Sequence, residues 1–164
     1  MLFLKVMIFA LVAPGTVAVL VPYLLLTLCA DAHPYSSGSL GYVGVFLIAL
    51  GAFVYTRCLW DFAVTGRGTP APIDPPKNLV ICGLYRYARN PMYIGSVMVL
   101  FGEAILFQTP VLFVYSAAVF VGFYFLVLLY EEPTLRRQFG NSYRQYCRLV
   151  PRWIPRMNGL RSKS

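Results

Sequence analysis

The sequence predicts an all-α integral membrane protein, with four transmembrane helices in two hairpins and a cytoplasmic amphipathic helical segment at the C-terminus. Composition is the first reason: 59% of the 164 residues are hydrophobic and only 12% are charged, whereas a soluble domain keeps about a quarter of its residues charged. The mean hydropathy is +0.66. The second reason is that the apolar residues form long blocks, and the third is the placement of the basic residues around those blocks.

The apolar blocks predict the four spans in chain order. A helix needs roughly 20 residues to cross a bilayer core about 30 Å thick, and only the third block is shorter than that. We predict a single membrane domain, 1–164, with spans at about 6–29, 41–60, 92–107 and 111–130, a cytoplasmic loop at 61–91 and a cytoplasmic tail at 131–164. The first block also has a signal-peptide interpretation, which we disfavour because its apolar run exceeds the roughly 7–15 residues of a signal-peptide core.

The basic residues predict the orientation. All 14 Lys and Arg residues precede span one, lie between spans two and three or at their edges, or follow span four. The positive-inside rule therefore predicts a multi-pass protein with both termini in the cytoplasm. The net charge of +8 then reflects topology and attraction to anionic headgroups. Nucleic acid is a poor alternative partner, because no recognition motif accompanies the basic residues.

Turn-forming residues separate the spans of each predicted hairpin. The sequence DAHPYSSGS closes the first hairpin and QTP closes the second. Pro14 and Pro22 are expected to bend span one, and neighbouring helices should then satisfy the carbonyls that proline leaves free. In the loop before span three, four prolines between 70 and 76 exclude a regular helix.

The tail sequence EEPTLRRQFGNSYRQYCRLVPRWIPR predicts a broken amphipathic helix. One face carries apolar side chains, namely Leu135, Phe139, Tyr143 and Tyr146. Arginines occupy the other face, and Gly140 interrupts the pattern. Taken alone, this pattern favours a basic segment that lies in the headgroup layer.

Cysteine and histidine usage predicts no metal site. Cys29, Cys58, Cys82 and Cys147 are widely spaced and form no C-x-x-C pair, and His33 is the one histidine. These residues do not make a recognisable zinc pattern. We therefore expect free thiols.

The residues best suited to chemistry lie where spans three and four are expected to meet the cytoplasm. Asn90 is pushed toward an extended backbone by the proline that follows it, and Pro91 takes the first helical position. Span three then starts with free N–H groups that favour an anionic group such as a carboxylate. Span four ends in Glu131 and Glu132, and Pro133 is expected to stop it there. Since QTP makes the two spans antiparallel neighbours, both features should lie at one membrane depth.

Two interpretations of this pattern stay open on the residues alone. A helix N-terminus for a carboxylate, beside carboxylates for an ammonium or ribose hydroxyls, suits an amino-acid-bearing nucleotide such as S-adenosylmethionine. In the structural alternative, Glu131 and Glu132 pair with Arg86, Arg89 or the tail arginines, as surface ion pairs commonly do with little effect on stability.

A resemblance to a known family favours the first interpretation. The run GLYRYARNPMYIG, a hydrophobic hairpin and then EEPTLRRQFGNSYRQYCRLVPRWIP are similar to the C-terminal half of the isoprenylcysteine carboxyl methyltransferases and their phospholipid methyltransferase relatives. The similarity covers about residues 74–155, and several elements agree in order and spacing. It implies an integral membrane enzyme that transfers a methyl group from S-adenosylmethionine to a lipophilic small-molecule or lipid substrate, without a metal.

Carried over by position, the resemblance implies a set of cofactor contacts. They are Lys77, Asn78, Leu79, Val80, Tyr85, Asn90, Pro91, Met92, Tyr93 and Glu131. The catalytic residues stay open, with Glu132, Tyr93 and Arg89 as candidates.

The sequence departs from the family pattern at two positions. Asn90 replaces the more usual histidine, and it can hydrogen-bond but cannot act as a base at neutral pH. Val127 stands where the isoprenylcysteine enzymes have an arginine that is associated with substrate. The general activity therefore carries over better than the identity of the acceptor, whose reacting atom (O, N or S) stays open.

Two further expectations concern residues outside this pattern. Glu103 lies inside span three, and we expect it to hydrogen-bond within the bundle, with a role in a substrate cavity as the second interpretation. The alternative to an enzyme is a non-catalytic membrane protein that binds lipid or supports assembly and uses the basic tail on anionic headgroups.

Overall fold

The computed structural model describes residues 15–28, 38–66 and 79–155. Most of these residues are helical and none of them forms a strand, so the all-α class is confirmed for the described part of the chain. The helices are α1 (Val21–Leu28), α2 (Ser39–Asp61), α3 (Pro91–Phe107), α4 (Pro110–Leu126) and α5 (Glu132–Leu149). Shorter turns adjoin them: π-helical turns at Thr16–Leu20, Phe62–Gly66 and Val127–Glu131, and a 3₁₀ turn at Gly83–Arg86.

Two helical runs are long and apolar enough to cross a membrane. They are Ser39–Asp61 and the continuous run Pro110–Leu149, whose apolar part is α4. The first helix and Pro91–Phe107 are shorter apolar helices. The count of four spans, the domain boundaries and the cytoplasmic position of the tail remain predictions.

A glycine seam joins α2 to α3. A Cβ built on Gly44 would lie 2.8 Å from the Gly102 carbonyl oxygen, and one built on Gly51 would lie 2.5 Å from that of Gly95. Within each helix the two glycines are seven residues apart: Gly44 and Gly51 in α2, and Gly95 and Gly102 in α3. They therefore lie on one face of the helix, two turns apart. Small residues of this kind allow two helix backbones to approach closely. The α2–α3 contact is the most extensive between any two described helices.

The described part of the first helix contacts α3 and α4. The pairing of span one with span two in a hairpin remains a prediction. The Tyr115 hydroxyl of α4 donates a hydrogen bond of 2.8 Å to the Val17 carbonyl. That carbonyl is left without its π-helical donor because Pro22, five residues later, has no N–H. A neighbouring helix thus satisfies a carbonyl freed by proline, as expected for Pro22.

Two details of the helices differ from expectation. Pro133 does not stop the helix of span four, because the helical run continues from Pro110 to Leu149 and Pro133 stands in the first turn of α5, directly after a π-helical turn. Oε2 of Glu103 is buried and has no hydrogen-bond partner within 15–28, 38–66 and 79–155. The hydrogen bond expected for this side chain is therefore not made at that oxygen.

We expect Gly51→Ala to destabilise the protein by about 1–3 kcal/mol, because overpacking a close contact forces the backbones apart. Thermal unfolding of the purified protein in detergent measures the effect. Gly122→Ala is the matched control, since nothing lies within 4 Å of a Cβ at Gly122 and alanine is the better helix former. Equal unfolding temperatures for the two variants would contradict the glycine seam.

Candidate functional site

A cavity of about 260 Å³ lies where α3 begins and α4 ends. Its walls come from the end of α2, the segment before α3, the first turn of α3, the π-helical turn after α4, and α5. The lining residues are Phe62, Leu79, Val80, Tyr85, Arg89, Asn90, Met92, Tyr93, Val127, Tyr130, Glu131, Glu132, Thr134, Leu135, Gln138, Tyr143 and Tyr146.

The start of α3 supplies unpaired amides. Pro91 occupies the first turn of α3, as predicted, and no side chain caps the helix N-terminus. The side chain of Asn90 instead donates a hydrogen bond of 3.2 Å to the Arg152 carbonyl. The first N–H groups of a helix have no intrahelical partner, so those of Met92 and Tyr93 remain available for an anion.

The end of α4 brings a carboxylate to the same place. Within the π-helical turn, the Glu132 amide binds the Val127 carbonyl, and such turns are frequent at functional sites. Glu131 then accepts a hydrogen bond from the Tyr93 hydroxyl. The Tyr93 ring packs on Phe123 with ring centroids 4.6 Å apart. The predicted juxtaposition of the two helix ends is therefore present in the structure.

Glu132 has a different environment, although it is the next residue. Only 4% of it is exposed. Its carboxylate accepts a hydrogen bond of 2.8 Å from Arg89 and two hydrogen bonds of 2.7 and 2.9 Å from Arg152. Arg136 lies 3.6 Å away. Glu132 is therefore paired with arginines, as the structural alternative for the acidic pair predicts.

Glu131 does not share these partners. Among the residues that the structure describes, no Lys or Arg forms an ion pair with it. Because Tyr93 is a neutral donor, the carboxylate has no compensating positive charge from the described residues. Partly buried carboxylates favour a cationic partner, so Glu131 is available to a cationic or hydroxyl-bearing ligand.

The chain after α5 closes the site. Gly140 interrupts the helical backbone with φ 52°, which confirms the predicted break in the tail helix. The Arg89 amide donates to the Pro151 carbonyl at 2.9 Å. Trp153 packs on the α4 aromatics Phe120 and Tyr124. The segment that follows α5 is therefore attached both to the turn before α3 and to α4.

The apolar face of α5 packs on the protein. Tyr143, Tyr146 and Val150 are buried and contact Leu79 and Ile81. The apolar side of the tail therefore forms one wall of the cavity, and the position of the tail in a headgroup layer remains a prediction. The sequence pattern identified this face, but it did not identify what the face covers.

Tyr85 connects this wall to the 3₁₀ turn. Its carbonyl accepts a hydrogen bond of 2.7 Å from the Tyr146 hydroxyl. Its ring packs edge-to-face on Phe62 with ring centroids 5.5 Å apart. Burial raises the pKa of the Tyr85 phenol well above its usual value, so the hydroxyl stays protonated at neutral pH.

The predicted cofactor contacts occupy three kinds of position. Those that line the cavity are Leu79, Val80, Tyr85, Asn90, Met92, Tyr93 and Glu131. Pro91 is buried at the start of α3 and does not line the cavity, while Lys77 and Asn78 lie outside the described residues. The catalytic candidates Glu132, Tyr93 and Arg89 all line the cavity, and their roles remain predictions.

Sequence reasoning did not place Phe62, Tyr143 and Tyr146 at the site, and it included Arg152 only as one of the tail arginines that the structural alternative pairs with the acidic residues. Tyr143 and Tyr146 carried a usable signal, since they extend the apolar face of a helix that follows the acidic pair. Phe62 carried none, because it is brought in by a contact distant in sequence.

Comparison with known proteins gives one family. The sequence model of the family described as phospholipid methyltransferase matches residues 40–142, which is more than half of the chain. The described residues contain no group of three or more metal-ligating side chains.

The similar curated proteins have one activity in their names. Protein-S-isoprenylcysteine O-methyltransferase B of Arabidopsis thaliana is 31% identical over 49% of this chain and 41% of its own length. Probable protein-S-isoprenylcysteine O-methyltransferase of Oryza sativa subsp. indica is 26% identical over 70% of this chain and 60% of its own. Protein-S-isoprenylcysteine O-methyltransferase of Schizosaccharomyces pombe is 35% identical over 47% of this chain and 33% of its own length. The chain thus matches less than two thirds of each relative's length, and no solved structure matches it.

We expect Arg152→Gln to loosen the segment after α5, because it removes two charge-assisted hydrogen bonds to Glu132. Hydrogen exchange at the Arg89 amide, which binds the Pro151 carbonyl, should become about ten-fold faster, the factor that corresponds to roughly 1.4 kcal/mol. Arg136→Gln is the matched control, since Arg136 lies 3.6 Å from the same carboxylate and 57% of its side chain is exposed. Equal exchange in both variants would show that the Arg152 contact does not hold this segment.

Proposed function

The chain belongs to the phospholipid methyltransferase family, and on that premise we propose that it transfers a methyl group from S-adenosylmethionine to a lipophilic acceptor, prenylated or lipid-like, at the cytoplasmic membrane face. The family match and the two apolar helical runs together indicate a membrane protein. The observation that carries the proposal is a cavity in which the uncapped start of α3 faces a partly buried carboxylate, Glu131, that has no cationic partner among the described residues.

The cavity residues fit the groups of the methyl donor. S-adenosylmethionine carries a carboxylate, an ammonium, ribose hydroxyls and an apolar purine, and when bound it supplies an electrophilic methyl group on a sulfonium. The amides of Met92 and Tyr93 are suited to the carboxylate, and Glu131 is suited to the ammonium or a ribose hydroxyl. Leu79 and Val80 offer apolar surface for the purine. These assignments extend the predicted cofactor contacts.

The described residues contribute chiefly by positioning. Methyl transfer from a sulfonium is an in-line displacement that requires neither a metal nor a covalent enzyme intermediate, and fixing the reacting groups is worth roughly 7–11 kcal/mol in favourable cases. The ion pair between Arg89 and Glu132 favours a structural role for both charges. Arg89 nevertheless keeps one buried donor, Nε, without a partner among the described residues, which suits an anionic group in the cavity.

Where the acceptor must lose a proton, Tyr93 and Glu131 are the pair of residues placed to take it. The Tyr93 hydroxyl binds Glu131, so this pair is able to receive a proton from a neutral amine or thiol. An acceptor that is already anionic needs no base, and the apolar walls then favour the neutralisation of charge in the transition state. Tyr93 is therefore the catalytic candidate that the contacts favour.

Non-catalytic lipid binding is the second candidate function. The outer face of α5 carries four exposed arginines, namely Arg136, Arg137, Arg144 and Arg148, and basic residues near a membrane surface attract anionic headgroups. On this alternative, substitutions of these arginines matter more than substitutions of Glu131 or Tyr85. On the enzymatic proposal, the reverse holds.

We expect Glu131→Ala to abolish binding of S-adenosylmethionine, measured by isothermal titration calorimetry, because it removes the one unpaired carboxylate in the described part of the cavity. The unfolding temperature should stay near that of the wild type, since Tyr93 loses only a hydrogen bond. Glu103→Gln serves as the control, because Glu103 also lies in an apolar helix but outside the cavity lining. Unchanged affinity in Glu131→Ala would count against the proposal.

The acceptor is identified by a second experiment. Radiolabelled methyl transfer from S-adenosylmethionine into a native lipid extract should yield a labelled lipophilic product with the wild type and none with Glu131→Ala. The chemistry of that product distinguishes a prenylated thiol or acid from a phospholipid amine. Absence of labelled product from wild type that binds the donor would favour the non-catalytic candidate.

A further inference from the structure

Asp61 at the end of α2 is a buried carboxylate outside the cavity. Only 6% of it is exposed. Its Oδ1 atom accepts a hydrogen bond of 2.6 Å from Arg57, one helical turn earlier. Its Oδ2 atom is buried and has no hydrogen-bond partner among residues 15–28, 38–66 and 79–155. A buried carboxylate with one unsatisfied oxygen is costly, so the surroundings of this oxygen are of interest.

The unsatisfied oxygen lies against Gly83. A Cβ built on Gly83 would overlap Oδ2 of Asp61, so the carboxylate occupies the space that a side chain at position 83 would need. Gly83 also has φ 54°, a left-handed conformation that residues with a side chain adopt at a cost. Glycine at this position is therefore required for two separate reasons.

The turn that begins at Gly83 forms part of one wall of the cavity. Gly83 is the first residue of the 3₁₀ turn, and Tyr85, two residues later, is buried and lines the cavity. The π-helical turn that follows α2 contacts this region at two residues: Thr65 lies 3.3 Å from the Cys82 sulfur, and the Phe62 ring packs on the Tyr85 ring. Tyr85 also packs in one buried cluster with Cys58, which lies one turn before Asp61.

We propose that Asp61 is a positioning residue of the methyl-transfer site, because its carboxylate, held by Arg57, fills the space over Gly83 and fixes the turn that sets Tyr85 in the cavity wall. This inference rests on the proposed function for its consequence in ligand binding. Its structural part, the Asp61–Gly83 contact that controls Tyr85, stands independently of the cofactor.

A pair of substitutions tests the contact. In Gly83→Ala the new methyl group collides with Asp61 and displaces the turn. Asp61→Ala alone leaves the space over Gly83 empty and should also displace the turn. In the double variant Gly83→Ala/Asp61→Ala, the methyl group takes the space that the carboxylate filled, so the turn is held again. Gly140→Ala is the matched control, since Gly140 has φ 52° and nothing within 4 Å of a Cβ, so it carries the backbone cost without the collision.

The reactivity of Cys58 reports the position of Tyr85 without any ligand. Cys58 is fully buried in a cluster with Tyr85 and Met92, so displacement of Tyr85 exposes its thiol. The rate of alkylation, followed at the Cys58 peptide by mass spectrometry, should rise about ten-fold in Gly83→Ala. It should stay at the wild-type rate in Gly140→Ala and return toward that rate in the double variant.

Two results overturn the contact. One is a Cys58 rate in Gly83→Ala that equals the rate in Gly140→Ala. The other is a double variant that is no closer to wild type than Gly83→Ala. If Gly83→Ala does not fold, recovery of a folded protein with slow Cys58 alkylation in the double variant supports the contact, and failure of both variants overturns it.

Calorimetric binding of S-adenosylmethionine tests the consequence for the site. The affinity should fall about ten-fold in Gly83→Ala and recover in the double variant. Unchanged affinity in a Gly83→Ala protein with fast Cys58 alkylation overturns the positioning role. Absence of binding in every protein, wild type included, together with the expected Cys58 pattern, instead overturns the proposed function and leaves the contact intact.

Discussion

The buried carboxylate of Glu132 is the contact on which the arrangement of the site depends. A carboxylate that is almost wholly removed from water needs compensating charge, and Glu132 obtains it from Arg89, which precedes α3, and from Arg152, which follows α5. Three segments that are distant in sequence therefore meet at one point. Their meeting closes one side of the cavity and attaches the end of the chain to the turn before α3.

The same neutralisation gives Glu131 its distinct character. Adjacent residues in a helix point about 100° apart, and the π-helical turn alters that register further, so Glu131 faces Tyr93 while Glu132 faces the arginines. Glu132 is paired with arginines within the fold, whereas Glu131 has no cationic partner among the described residues. This difference is the reason that Glu131, and not Glu132, is proposed as the contact for the methyl donor.

The close packing of α2 on α3 supports the site. Gly44, Gly51, Gly95 and Gly102 bring the two backbones into direct contact. The end of α2 is thereby held beside the start of α3, within reach of the turn at Gly83. A contact so close to the backbone transmits a small displacement without much relaxation, which is why a single methyl group at position 83 is expected to matter.

Sequence by itself determined the helical class, the apolar runs, the helix start at Pro91 and the break at Gly140. It also carried the resemblance that led to the family. These features follow from composition, periodicity and local backbone preferences, which are properties of neighbouring residues. The sequence also placed Tyr93 and Glu131 near each other, since a three-residue connection leaves antiparallel helices little choice. Only the tertiary structure decided that Glu132 is paired with Arg89 and Arg152, that Phe62 and Tyr146 support Tyr85, and that α2 packs on α3. These contacts join segments that are distant in sequence. A local sequence pattern does not show which of those segments pair their buried charges or bring their backbones close together.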